Sequence, residues 1–147
     1  MSKPTDIRVT RAQLCFLPVT TRVPLKFGTE VTRSITCARV RVEVQTSGGG
    51  RGAGWGETPL SVVWAWPSAA VGYEERHEAM RAFCRRLGAA WNDFDEAGHA
   101  LEVGHAFNRD RLGALLADFN AARPAAEPMP HLAALICNSA FDIAVHD

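Results

Sequence analysis

Cysteine is scarce in this chain of 147 residues, with four scattered at Cys15, Cys37, Cys84 and Cys137 and no C-x-x-C pair. That spacing gives neither a zinc site nor a dithiol redox pair. It fits a reduced, cytosolic protein with buried free thiols. No run approaches the apolar length of a membrane span, and the opening "MSKPTDIRVT" has no apolar core of a signal peptide. Neither sign of charge is in excess. Lysine plus arginine and aspartate plus glutamate both number 16, which leaves no overall electrostatic footprint for nucleic acid or an anionic membrane. There is no H-E-x-x-H, no metal-spaced Cys/His cluster and no G-x-S-x-G elbow. His77, His99, His105, His131 and His146 each read as loop or surface residues. "GGGRGA" at 48–53 has the outline of a dinucleotide fingerprint. The following "GWGETPL" has a proline and no helical period, so no helix N-terminus is there to hold a pyrophosphate. A tight turn accounts for these glycines. Asp142 and Asp147, five apart, share no helix face and do not make a paired-carboxylate site.

Hydrophobic residues make up 47% of the chain and charged residues 22%, the balance of a soluble globular domain with a real core. Ile7 and Val9 share one parity and Leu14 and Phe16 the other, so the first strand bends or bulges near Ala12. Ala38, Val40, Val42 and Val44 alternate with Arg39, Arg41, Glu43 and Gln45, a strand with one buried and one wet face. Between these strands, residues 18–32 carry two prolines and a glycine and read as a loop. Glycines 48–50 form a hairpin turn into a third strand through Trp55 and Glu57. Residues 58–72 form an apolar, tryptophan-rich loop. Met80, Phe83, Cys84, Leu87 and Trp91 then mark one stripe of a helix from about Glu74. A second helix is expected to start at Asn108 as N-cap, with Leu112, Leu115, Leu116 and Phe119 as its stripe, ending before Pro124. Residues 97–107 show a weak pattern for a short helix. The last helix starts near Pro130. A three-stranded antiparallel meander followed by three or four helices makes an α+β domain.

The last helix is apolar around most of its circumference. Leu132, Leu135, Ile136, Ser139, Ala140, Ile143 and Ala144 form one face, which Ala133, Cys137, Phe141 and Val145 widen. His131, Asn138, Asp142 and His146 fall on one narrow polar stripe. Such a helix is covered on several sides, either by neighbouring helices or by a second domain. The closing "NSAFDIAVHD" has no helix-stop signal, which favours a second domain. Arg22, Lys26 and Phe27 in the first long loop, and Trp64 and Trp66 in the second, either fold back on their own domain or form a lid over a ligand held elsewhere.

The bent first strand, "RVPLKFG", the alternating strand and "GAGWGETPL" resemble the N-terminal capping domain of the enolase superfamily, in particular its mandelate racemase and muconate lactonising enzyme group. Gly54, Trp55, Gly56 and Glu57 match that group's G-x-G-E. Ala140, Asp142, Ala144 and Asp147 match the A-x-D-x-A-x-x-D of the helix that leads into its barrel. The resemblance implies a capping domain over residues 1–130 and, over 131–147, a helix leading toward a (β/α) barrel absent from this chain. It implies a full-length isomerase or lyase, a racemase, acid-sugar dehydratase or cycloisomerase. In such enzymes a magnesium ion held by the barrel binds a small carboxylate substrate, and a barrel base takes the proton α to it. The two loops would then close the barrel mouth and set specificity, with Arg22, Lys26, Phe27, Trp64 and Trp66 as substrate-binding residues. No catalytic residue and no metal ligand would lie in this chain, which alone would be inactive. The barrel is the implied partner, with no role for nucleic acid or membrane, and a homo-oligomer stays open. The competing reading is a free-standing α+β binding module with Trp64 and Trp66 as its contact patch.

Overall fold

The computed structural model describes residues 3–27 and 30–147. The chain is α+β, but its sheet has four strands. β1 (Ile7–Phe27), β2 (Glu30–Thr46), β3 (Arg51–Pro59) and the two-residue β4 (Ala97–Gly98) lie in the order β3-β2-β1-β4. All pairings are antiparallel. β4 escapes a reading by alternation because two residues carry no period; it adds to the edge of β1 opposite Ile7 and Arg8. The expected kink in β1 falls at Thr10, where the register with β2 shifts between Val9 and Arg11. Gly49, at φ +85, closes the turn into β3, a left-handed conformation that favours glycine.

Two expectations about loops and helix starts are corrected. Residues 18–27 and 30–32 are strand, because β1 and β2 continue far beyond the root of the sheet. The β-branched run of Val19, Thr20, Thr21 and Val23 facing Val31, Thr32 and Ile35 outweighs the prolines. Pro18 sits where β1 has no outer neighbour and Pro24 in an irregular stretch between Thr20 and Leu25, so neither removes a needed donor. The tip of the supposed loop, 28–29, lies outside the described residues. Likewise, Asn108 does not start a helix. α3 (Ala100–Phe107) begins at His99, whose Nδ1 accepts from the Leu101 N–H while Glu102 accepts from the His99 N–H. It passes through a π turn (Asn108–Leu112) into α4 (Gly113–Ala122).

α2 (Tyr73–Asn92) and α5 (His131–His146) cover one face of the sheet. Their buried stripes, including Phe83, Leu87, Trp91, Ala140 and Phe141, close the core over Ala38, Val40 and Val42. α2 lies along β1, where Arg81 and Arg85 lie over Phe16 and Asn92 clamps both backbone groups of Ala12, and its His77 reaches Thr36 of β2. α5 turns one residue of its polar stripe, Asn138, inward, while His131 and His146 are exposed and Asp142 is half-buried. Asn138, 2% exposed, accepts from Trp91 Nε1 at 2.8 Å and donates to Asn108 Oδ1 at 3.1 Å. Leu132, Leu135 and Ile143 point outward instead, 39–45% exposed.

The glycines of β3 explain how closely α5 can lie. A Cβ on Gly56 would sit 1.9 Å from the Ala140 carbonyl oxygen, and one on Gly54 would sit 2.2 Å from that of Ala144. The Trp55 N–H donates to Asp147 Oδ2 at 3.0 Å. Helix backbone therefore rests on strand backbone, and no side chain fits between. Gly56→Ala is expected to cost at least about 3 kcal/mol through forced separation of α5 and β3. Gly52→Ala, where a Cβ meets only Val44 at 3.6 Å, is expected to change stability by no more than about 1 kcal/mol in either direction. Urea denaturation of both variants checks this contrast.

Candidate functional site

The residues singled out from the sequence sort by position along the sheet. β3 pairs with β2 only from Cys37 to Gln45. Beyond that point β1 and β2 continue alone as a two-stranded arm, with Val19 opposite Ile35, Leu25 opposite Thr32 and Lys26 opposite Val31. Six or more residues a strand at about 3.3 Å each carry it roughly 20 Å past the root. The stretch 21–24 is bulged out of the ladder, and Thr21 Oγ1 donates to the Arg33 carbonyl at 3.2 Å. A bulge re-aims side chains, and here it displays Arg22 and Val23. Arg22 and Lys26 are exposed, as are Val23 at 70% and Leu25 at 61%. Phe27 ends β1, and its side chain lies outside the described residues.

The second long loop starts at the same end. β3 stops at Pro59 opposite Cys37, and the Leu60 N–H donates to the Thr36 carbonyl at 2.8 Å. One helical turn, α1 (Val62–Ala65), follows. Trp64, on that turn, is 54% exposed. The arm and Trp64 thus leave the sheet from one corner. Trp66 does not join them: it is 1% exposed and part of the core. Its carbonyl accepts from Arg76, and the Arg123 guanidinium lies 5.7 Å from the centre of its ring. The periodicity that marks core residues on strands and helices does not operate in a loop, so this tryptophan looked free.

The arm root holds residues that no motif announced. His77 Nε2 shares a hydrogen bond of 2.9 Å with Thr36 Oγ1, and the Tyr73 ring stacks on His77 at 5.9 Å. Burial, and secondarily Glu74, pushes the Tyr73 phenol up from its ordinary value, so it stays neutral. Hydroxyl, imidazole and Glu74 line up like a nucleophile, base and acid. The 3.9 Å from His77 Nδ1 to Glu74 is too long for a hydrogen bond, and Glu74 is 89% exposed. This row tethers the arm to α2 and is not a catalytic triad. Among the described residues no three His, Cys, Asp or Glu side chains converge to hold a metal ion. What this corner offers among the described residues is two exposed cations, exposed apolar side chains and an indole: a surface for binding and covering.

No family model matches the chain, and no curated protein matches it. Solved structures of the mandelate racemase/muconate lactonising enzyme type match nearly all of it. One is a putative mandelate racemase/muconate lactonizing enzyme from Roseovarius nubinhibens ISM (16% identity, 95% of this chain and 29% of that one, TM-score 0.47). Another is L-talarate dehydratase from Polaromonas sp. JS666, complexed with Mg and L-glucarate (13% identity, 95% and 31%, TM-score 0.47). A third is the L-Ala-D/L-Glu epimerase from Bacillus subtilis (15% identity, 95% and 30%, TM-score 0.46). The chain spans about 30% of the length of these proteins.

The two tryptophans separate the site from the core. Trp66→Ala is expected to cost about 3–5 kcal/mol, and Trp64→Ala no more than about 0.5 kcal/mol. Thermal unfolding followed by circular dichroism checks both; equal losses would remove Trp64 from the surface site.

Proposed function

We propose that the chain is the capping and specificity domain of an enolase-superfamily enzyme acting by proton abstraction α to a carboxylate. The observation that carries this is the arm. A two-stranded ribbon is marginal in water without a third strand or a helix. This one shows Val23, Leu25, Val31, Arg22 and Lys26 to solvent at the corner shared with Trp64. Such a ribbon gains its stability and its use when it closes over something. In this reading the arm and α1 cover the mouth of a barrel, exclude water there and meet a small carboxylate substrate through Lys26 and Arg22. Trp64 walls the pocket, Phe27 remains a candidate, and Trp66 is withdrawn to the core. α5 is the segment through which cap and barrel join, with Leu132, Leu135 and Ile143 against the second domain. In this reading the magnesium and the catalytic groups are carried by the barrel. The rival free-standing module loses half its contact patch with Trp66 buried.

In the protein carrying the barrel, Lys26→Ala and Arg22→Ala should each lower kcat/KM at least tenfold, about 1.4 kcal/mol of transition-state binding, with the melting temperature unchanged. Unchanged kinetics would remove the arm from the active site. For α5, the chain on its own should bind a hydrophobic dye, and Leu135→Gln with Ile143→Gln should remove that binding while circular dichroism stays the same. Dye binding untouched by the pair would place the exposed apolar surface elsewhere.

A further inference from the structure

The sheet has a second face, turned away from α2 and α5. Val40 and Val42 point into the core, so Arg41 and Glu43 point out onto that face. The register sets what stands beside them. Arg11 of β1 lies directly opposite Glu43, and Ala53 of β3 lies opposite it on the other side. Arg51 is one diagonal step away, opposite Gln45. Neighbours of this kind on one face are about 5–8 Å apart, within reach of long side chains. Together they line a shallow groove of about 640 Å³ across the three strands.

Charge in this groove is not balanced. Arg41 donates to a carboxylate oxygen of Glu43. That bond is the largest influence holding the Glu43 carboxyl below its ordinary range, and Arg11 and Arg51 add to it through space. The carboxylate therefore stays ionised near neutral pH, and it offsets one of the three guanidiniums that line the groove. Among the described residues the side chains of Arg11 and Arg51 form no hydrogen bond and no ion pair. Both are exposed. The small side chain of Ala53 leaves the floor beside Glu43 clear. On the neighbouring row Arg39 and Glu57 pair with each other at 2.6 Å and carry no surplus. The excess is thus local: two guanidiniums without partners, one on either side of β2.

We propose that this groove binds a small anion carrying two or more negative charges, held by Arg11 and Arg51 with Arg41 between them. A guanidinium presents paired N–H donors in a fixed fork that matches a phosphate or a carboxylate group. Two such groups on one ligand match the two unpartnered guanidiniums in number and offset their charge. A single carboxylate engages only one side of the groove. The site lies away from the arm and from α5, so it stands whether or not the chain caps a barrel.

Calorimetric titration of the chain at low ionic strength with inorganic pyrophosphate, citrate and acetate tests this. Pyrophosphate or citrate should bind at one site with a Kd below about 1 mM, and acetate should not. Whichever of the two binds more tightly identifies phosphate or carboxylate as the preferred group. Arg11→Gln with Arg51→Gln should weaken that binding at least about tenfold and leave the circular dichroism unchanged. Glu43→Gln removes the carboxylate that competes for the guanidiniums and should strengthen it. Arg86→Gln with Arg111→Gln, which removes the same charge from exposed positions on the helical side, should leave it unchanged. No binding of either polyanion at about 1 mM overturns the proposal. So does binding that both double variants weaken alike, which would be attraction to net charge, and binding that Arg11→Gln with Arg51→Gln leaves intact.

Discussion

Everything in this fold is arranged around the contact between the backbones of β3 and α5. Gly54 and Gly56 carry no Cβ, so the carbonyls of Ala140 and Ala144 rest directly on the strand. Asp147 then closes the end of the contact on the Trp55 N–H. The two sequence motifs that suggested a capping domain are thus the two halves of one interlock. Small residues recur in both because any side chain would separate helix and strand. Glu57, the last of the glycine motif, faces the other side of the sheet and pairs with Arg39 across the strands, Oε2 lying 2.6 Å from Nη2. That pair is partly exposed, so it adds little to stability.

The interlock also fixes what α5 can show. Its Ala140 and Ala144 side lies on β3, its Asn138 side lies against Trp91 and Asn108, and Ala133, Ala134, Cys137, Phe141 and Val145 are buried, which leaves its outer side uncovered within the described structure. The large apolar side chains exposed there are Leu132, Leu135 and Ile143. Three exposed large apolar side chains beside a buried asparagine depart from the usual order of a surface helix. It is understandable in a helix that has a second surface to meet. The arm at the other corner poses the same question: a ribbon rich in β-branched residues extends where no third strand supports it.

What was legible in the sequence follows from which patterns are periodic. The alternation of Ala38, Val40, Val42 and Val44 and the stripe of Met80, Phe83, Cys84, Leu87 and Trp91 gave the central strand and the main helix, since each repeats the geometry that buries it. Prolines 18 and 24 hid the arm, because their cost depends on whether a neighbouring strand needs their N–H. Trp66 was misjudged for want of any period. Asn108 has the chemistry of a cap, yet it is spent on Asn138 inside a continuous helix. The π turn there has no sequence mark that we can identify.

Hydrogen–deuterium exchange along the arm tests the central claim most directly. Amides of residues 18–27 and 31–36 should exchange readily in the chain by itself, because a two-stranded ribbon opens at small cost. In the protein that carries the barrel, a bound carboxylate substrate should slow them, while the amides of β3 and α5 stay slow in both. If the arm is equally protected with and without that domain and its substrate, it is a finished part of the fold, and the capping account is contradicted.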